Sequence, residues 1–252
     1  MSDDFVSLKV LVVSDSGSER EAIRNAASHS SAVVEIGDSD RIADRSLLAN
    51  RNVDVIFLDS RLPLESRQTV LEVARAAPSR PLVISVGLKP SPIAAEVKEF
   101  DGAIAKPVQA SEMRAALDAC THLRRQNRIL VVDDSPTMRS VIRKVLHSCR
   151  HSFEVEEAGD GAEALSRAAK QRFDLVMLDC NMKGLDGFAT LGMFRQTHPT
   201  TKVVMITASS ETKTADRARV SGAHDVLQKP FYGKDVDALM NRLYGLMRPK
   251  LS

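Results

Sequence analysis

The chain repeats itself once, and the length of that repeat constrains the fold more than any other feature. "KVLVVSDSGSER" (Lys9 to Arg20) returns as "RILVVDDSPTMR" (Arg128 to Arg139), and "VDVIFLDSRLP" (Val53 to Pro63) as "FDLVMLDCNMK" (Phe173 to Lys183). "PLVISVG" and "DGAIAKPV" have counterparts in "KVVMITA" and "HDVLQKPF". Asp15 pairs with Asp134, Asp59 with Asp179, Ser85 with Thr207 and Lys106 with Lys229, each about 120 residues apart. A period of that length is too long for a solenoid, so each copy is expected to be a domain. The 252 residues divide into 1–126 and 127–252.

Each copy alternates short apolar runs with amphipathic stretches. In the second, Ile129–Val132 is too short for a helix, and Ser135 then offers an N-cap with Pro136 at the first helical position. Met138, Val141, Ile142, Val145 and Leu146 follow on one helical face; the first copy has Glu19, Ala22, Ile23, Ala26 and Ala27 in the same phase. Leu175–Leu178, Val203–Thr207 and Val226–Leu227 read as buried strands, and Val236, Leu239, Met240 and Leu243 mark a last helix. Five strands alternating with five helices predict an α/β fold, a parallel sheet covered on both faces. Met113, Ala116, Leu117 and Cys120 close the first copy with a helix, leaving only Gln126–Asn127 as linker. The basic run His122, Arg124, Arg125 and Arg128 is read as a solvated helix C-terminus, with a docking patch as the alternative.

Composition narrows the functional classes. A net charge of +2 gives no electrostatic case for nucleic acid or an anionic membrane as partner. No apolar run reaches the roughly 18 residues of a membrane span, and the acidic Met1 to Phe5 lacks the form of a signal peptide. Cys120, Cys149 and Cys180 are odd in number and without metal spacing, so they read as reduced thiols in a cytoplasmic protein. Neither G-x-G-x-x-G nor G-x-x-x-x-G-K-[ST] occurs, which weighs against a nucleotide-binding enzyme.

In an open parallel sheet, functional groups gather at the carboxyl ends of the strands. The second copy places Asp133 and Asp134 after its first strand, Asp179 after the third, Thr207 after the fourth and Lys229 after the fifth. Three carboxylates brought together repel one another, and a hard cation such as Mg²⁺ relieves that repulsion.

An acidic pair, an Asp, a Thr or Ser and a Lys-Pro, in that order at successive strand ends, resembles the receiver domain of two-component response regulators. The chemotaxis regulator CheY is the familiar single-domain example. The resemblance covers nearly the whole chain, twice. It implies two doubly wound, flavodoxin-like domains of strand order 2-1-3-4-5. It also implies that Asp179 is the phosphoacceptor, with Mg²⁺ held by Asp134, Asp179 and the Asn181 carbonyl, and by Asp133 through water. Lys229 would pair with the phosphoryl oxygens, and Thr207 would donate its hydroxyl to them. The phosphodonor would be a histidine kinase or a histidine phosphotransfer protein, the readout a downstream protein target, and a homodimer is one option. The expected role is a bacterial signalling switch without a separate output domain. A phosphorelay intermediate and a receiver scaffold are the alternatives. Catalysis would be confined to the protein's own phosphorylation and dephosphorylation. A haloacid-dehalogenase-type phosphatase needs a second acid two residues after the nucleophile, where this chain has Asn181 and Arg61.

Departures from the pattern are concentrated in the first copy. Asp15, Asp59, Ser85 and Lys106 remain, but Ser14 replaces the first acid and Arg61 stands where the second copy has Asn181. A guanidinium there would compete with Mg²⁺, so the first site is expected to be phosphorylated poorly and to serve in dimerisation or docking. "GLDG" (Gly184 to Gly187) becomes "LESR" (Leu64 to Arg67). Lys183 replaces the family's usual proline. Val226 and Ala103 stand where it carries the aromatic that couples to the Thr movement. Cys180, beside the acceptor, is read as a packing residue.

Overall fold

A computed structural model describes residues 7–28, 33–37, 53–87, 100–183, 186–208 and 212–246. The segments Met1 to Phe5, Gly184 and the last residues, on which sequence expectations also fell, lie outside it. The chain divides into two compact units, Gln126–Leu243 on the one hand and Met1–Arg125 with Tyr244–Ser252 on the other.

The first unit contains β1 (Lys9–Val13), α1 (Gly17–Ala27), β2 (Val33–Gly37), β3 (Val55–Asp59), α2 (Leu64–Ala76), β4 (Leu82–Val86), β5 (Gly102–Ile104) and α3 (Ala110–Arg124). Its strands form one parallel sheet in the order β2-β1-β3-β4-β5. The second unit contains β6 (Asn127–Val132), α4 (Pro136–Ser148), β7 (Phe153–Ala158), α5 (Gly161–Ala168), β8 (Leu175–Asp179), α6 (Gly187–Thr197), β9 (Lys202–Thr207), α7 (Thr212–Val220), β10 (Asp225–Gln228) and α8 (Gly233–Leu243). Its sheet runs β10-β9-β8-β6-β7, again parallel, the same order read from the opposite edge.

Residue chemistry accounts for these elements. β3 and β8, central in their sheets, are buried along their whole length, which is why they read as unbroken apolar runs. Leu130, Val132, Val176, Leu178 and Met205 share one core with Leu191 and Phe194 of α6. Leu11, Val13, Ile56, Leu58 and Val83 pack with Val70, Leu71 and Ala74 of α2 in the other unit. The edge strand β7 carries Glu154, Glu156 and Glu157, charges that discourage further strand pairing. Ser135 caps α4 as expected, accepting from the Met138 N–H at 3.3 Å. The buried stripe of α4 is narrower than its apolar pattern: Ile142 and Leu146 are buried, whereas Val141 lies at the stripe's edge, 47% exposed.

Two sequence expectations change. The basic run stays partly solvated, with His122 exposed, but Arg124 and Arg128 are ion-paired. Arg124 pairs with Asp54 at 2.9 Å and donates to the Ser79 carbonyl, while Arg128 pairs with Glu154 at 2.9 Å. The His122 ring stacks on Tyr244, centroids 5.2 Å apart. The domain boundary at 127–252 is also revised at its far end. Gly245, with φ of 87°, redirects the backbone just beyond α8. Leu246 is then buried against β5, its Cβ 3.3 Å from where a side chain on Gly102 would begin. Tyr244 to Leu246 therefore count with the first unit. Leu246→Ala should lower the first unit's stability by about 2 kcal/mol, read as faster amide exchange in Gly102–Ile104 with second-unit amides unchanged. Unaltered exchange in β5 would contradict this packing.

Candidate functional site

Register places the second unit's polar residues side by side. Val132 pairs with Leu178, so Asp133 follows beside Asp179. Asp179 itself pairs with Ile206, which leaves Thr207 at the adjoining strand end. Asp133 and Asp179 are both buried, and the Lys229 ammonium lies between them, 2.9 Å from Asp133 Oδ2 and 2.7 Å from Asp179 Oδ1. Each carboxylate has a backbone partner two residues on: Ser135 N–H donates to Asp133 and Asn181 N–H to Asp179, both at 2.9 Å. Asp134 is half-buried at the rim and accepts the Lys183 N–H at 3.1 Å. Burial works against the charge on Lys229, but its hydrogen bonds to Asp179 and Asp133 raise its pKa above the ordinary lysine value.

Among the described residues no three His, Cys, Asp or Glu side chains form a ready-made metal cage. Mg²⁺ asks for less, one or two carboxylates completed by waters. The all-oxygen donor set of Asp134, Asp179 and the Asn181 carbonyl suits it, and Lys229 is shared by two buried carboxylates there.

Surrounding residues fix these groups in place. Arg139 donates to the Asp133 carbonyl at 2.7 Å while ion-pairing with Glu157 at 3.1 Å, which holds the strand end against α4. Arg20 makes the corresponding bond to the Ser14 carbonyl, which explains why arginine closes both copies of the first repeat motif. Gly187, the first residue of α6, lies so close to Asp179 that a Cβ would stand 2.1 Å from its backbone oxygen. The sequence marks this glycine only as part of the "GLDG" segment, not by its closeness to Asp179. Val226 packs half-buried against the core. Burial raises the Cys180 thiol pKa, partly offset by a hydrogen bond with Thr207. Burial likewise raises Cys120, and Cys149 to about 12, so the three cysteines are thiols rather than thiolates.

The first unit brings a different set together. Ser14 and Asp59 are buried at adjoining strand ends, while Asp15 is exposed. Lys106 bridges two carboxylates, Asp59 at 2.8 Å and Glu19 of α1 at 2.6 Å. Ser14 Oγ lies 2.6 Å from Glu19 and 3.1 Å from Asp59. The Arg61 guanidinium approaches Asp59 at 3.6 Å and Glu19 at 3.7 Å, and the Arg61 backbone N–H donates to Asp59 at 2.9 Å. Burial alone would raise the Asp59 pKa; the bonds from Lys106 and the Arg61 N–H outweigh it and hold the value down to about 2.

In the sequence Glu19 reads only as a member of the α1 face. The signal was a carboxylate at a position that helical phase assigns to the core.

Ser85 requires a correction. It pairs with Leu58, the register held by Met205 against Leu178 in the second unit. The counterpart of Thr207 is therefore Gly87, two residues further along the same face. A Cβ on Gly87 would fall 1.6 Å from Ser60 Oγ, so the Ser60 side chain fills that place.

Comparison with known proteins agrees with this geometry in the second half of the chain. Residues 129–243 match the model of the response regulator receiver domain. The nitrate/nitrite response regulator protein NarP of Escherichia coli (strain K12) is 35% identical over 102 residues, 40% of this chain and 47% of that protein. The transcriptional activator protein PfeR of Pseudomonas aeruginosa is 35% identical over 125 residues, 48% of this chain and 39% of its own. The match thus spans less than half the length of these relatives. A solved two-component system response regulator/GGDEF domain protein shares the fold over 94% of this chain and 98% of its own, with TM-score 0.54 and 23% identity. Residues 129–243 are a response regulator receiver domain.

Proposed function

We propose that the chain is a tandem of two receiver copies in which the second accepts a phosphoryl group on Asp179 and the first is a modified copy. The observation that carries this reading is the Lys229 ammonium bridging Asp133 and Asp179 at neighbouring strand ends. The donor would be a phosphohistidine on a kinase or phosphotransfer protein. A carboxylate oxygen of Asp179 attacks phosphorus, the P–N bond breaks, and its electron pair leaves with the imidazole. Lys229 shifts from the carboxylates to the phosphoryl oxygens, and Thr207 donates its hydroxyl to them. Asp134, Asp179 and the Asn181 carbonyl, with Asp133 nearby, would hold Mg²⁺, which would supply neutralising charge for the phosphoryl group.

Catalysis is thus limited to the protein's own aspartyl phosphate. The charge added, about −2, biases a surface read by a protein partner. A net charge of +2 supports a protein rather than a nucleic acid as that partner. Among the described residues no helix is long and apolar enough to cross a membrane, which supports a cytoplasmic setting.

The test is phosphate incorporation from acetyl phosphate with Mg²⁺, in wild type, Asp179→Ala, Asp59→Ala and the double variant. Asp179→Ala should abolish labelling and Asp59→Ala leave it intact, and a chelator should abolish it in both active forms. Full labelling of Asp179→Ala would overturn the assignment.

A further inference from the structure

We infer that the first unit's strand-end site is closed to Mg²⁺ by its own side chains: Arg61 supplies the neutralising cation, and Glu19 replaces the acid lost at Ser14. The inference rests on reading the first unit as a modified receiver copy.

The two sites hold the same number of carboxylates but differ in cations. Among the described residues Asp133 and Asp179 share Lys229, whereas Glu19 and Asp59 face both Lys106 and Arg61. Glu19 reaches the cluster from α1 rather than from a strand end, and it is buried there. The Ser14 hydroxyl also enters the cluster, lying 2.6 Å from Glu19 and 3.1 Å from Asp59, where the second site has the Asp133 carboxylate. A divalent ion entering this cluster would meet two fixed cations at close range, each repelling it with an energy that grows as the local dielectric falls. The strand-end threonine is also missing: Gly87 stands where the second unit has Thr207, and the Ser60 side chain fills the space.

Of these residues Arg61 is the one that can be changed without disturbing the core, because its side chain is 59% exposed. It borders an open depression of about 480 Å³ with Glu19, Lys106, Ser16 and Ser18. Replacing it by asparagine reproduces the second site's Asn181.

The experiment titrates Mg²⁺ into the full chain with the second site silenced by Asp134→Asn and Asp179→Asn, followed by calorimetry and by the thermal midpoint. With Arg61 present, no saturable binding and no Mg²⁺-dependent rise in midpoint are expected at millimolar ion. Adding Arg61→Asn should raise Mg²⁺ affinity by about tenfold or more, and Arg61→Lys should leave the site closed. Glu19→Gln on the Arg61→Asn background should weaken the new binding. Saturable binding with Arg61 in place, or none in Arg61→Asn, would overturn the inference. Because labelling of wild type reads Asp179 and this titration reads the first unit alone, either reading can fail without the other.

Discussion

Gly187→Ala is expected to disable the second unit while Gly192→Ala, five residues along the same helix, leaves it intact or strengthens it. At Gly187 the added carbon would meet the Asp179 carbonyl oxygen at 2.1 Å and the Cys180 Cα at 3.0 Å. Both obstacles are backbone, so no rotamer change relieves the clash; either α6 or the end of β8 must move. Overpacking of that kind costs about 3 kcal/mol, or about 10 °C in thermal midpoint for a unit of this size. The displaced residue is also the proposed acceptor, so phosphate incorporation should fall further than the folded fraction does. Around Gly192 a Cβ meets nothing within 4 Å. There the ordinary helix-interior preference applies, and alanine should stabilise by about 0.5–1 kcal/mol. Thermal melts and acetyl-phosphate labelling of the two variants test the pair; equal behaviour would mean that the approach of α6 to Asp179 does not fix the acceptor.

Which parts of this were legible beforehand follows from the range of each signal. Asp133, Asp179, Thr207 and Lys229 could be read because each ends or follows a short apolar run, and the parallel sheet brings such ends together. The degeneracy of the first copy was visible at Ser14 and Arg61, but its chemistry was not. Glu19 sits in a sequence that looks like any amphipathic helix, and only the tertiary fold shows that its carboxylate meets Lys106. Ser85 was misplaced because strand alternation has a period of two. A shift from Ser85 to Gly87 keeps the same face, so the apolar pattern cannot detect it. The two glycines of α6 are indistinguishable by propensity, and what separates them is the distance to Asp179. Leu246 lies beyond the last periodic helix, where sequence offers no indication of which unit will bury it.

Lys229→Met is expected to produce the largest loss at the site itself, and a conditional one. Among the described residues the lysine is the one cation bridging the two buried carboxylates, so removing it leaves Asp133 and Asp179 facing each other. Stranding buried charge in this way costs about 3 kcal/mol or more. The deficit relative to wild type should shrink when Mg²⁺ is added, since a divalent ion among the same carboxylates replaces the lost charge. Labelling should nevertheless remain down by about 100-fold, the usual effect of deleting one group that stabilises developing charge, because the metal cannot also occupy the position from which Lys229 reaches the phosphoryl oxygens. Chemical denaturation with and without Mg²⁺ separates the two roles. A destabilisation that Mg²⁺ leaves untouched would make Lys229 a packing residue whose ammonium matters little. Rescue of both stability and labelling would mean that the metal alone carries the electrostatics of the site.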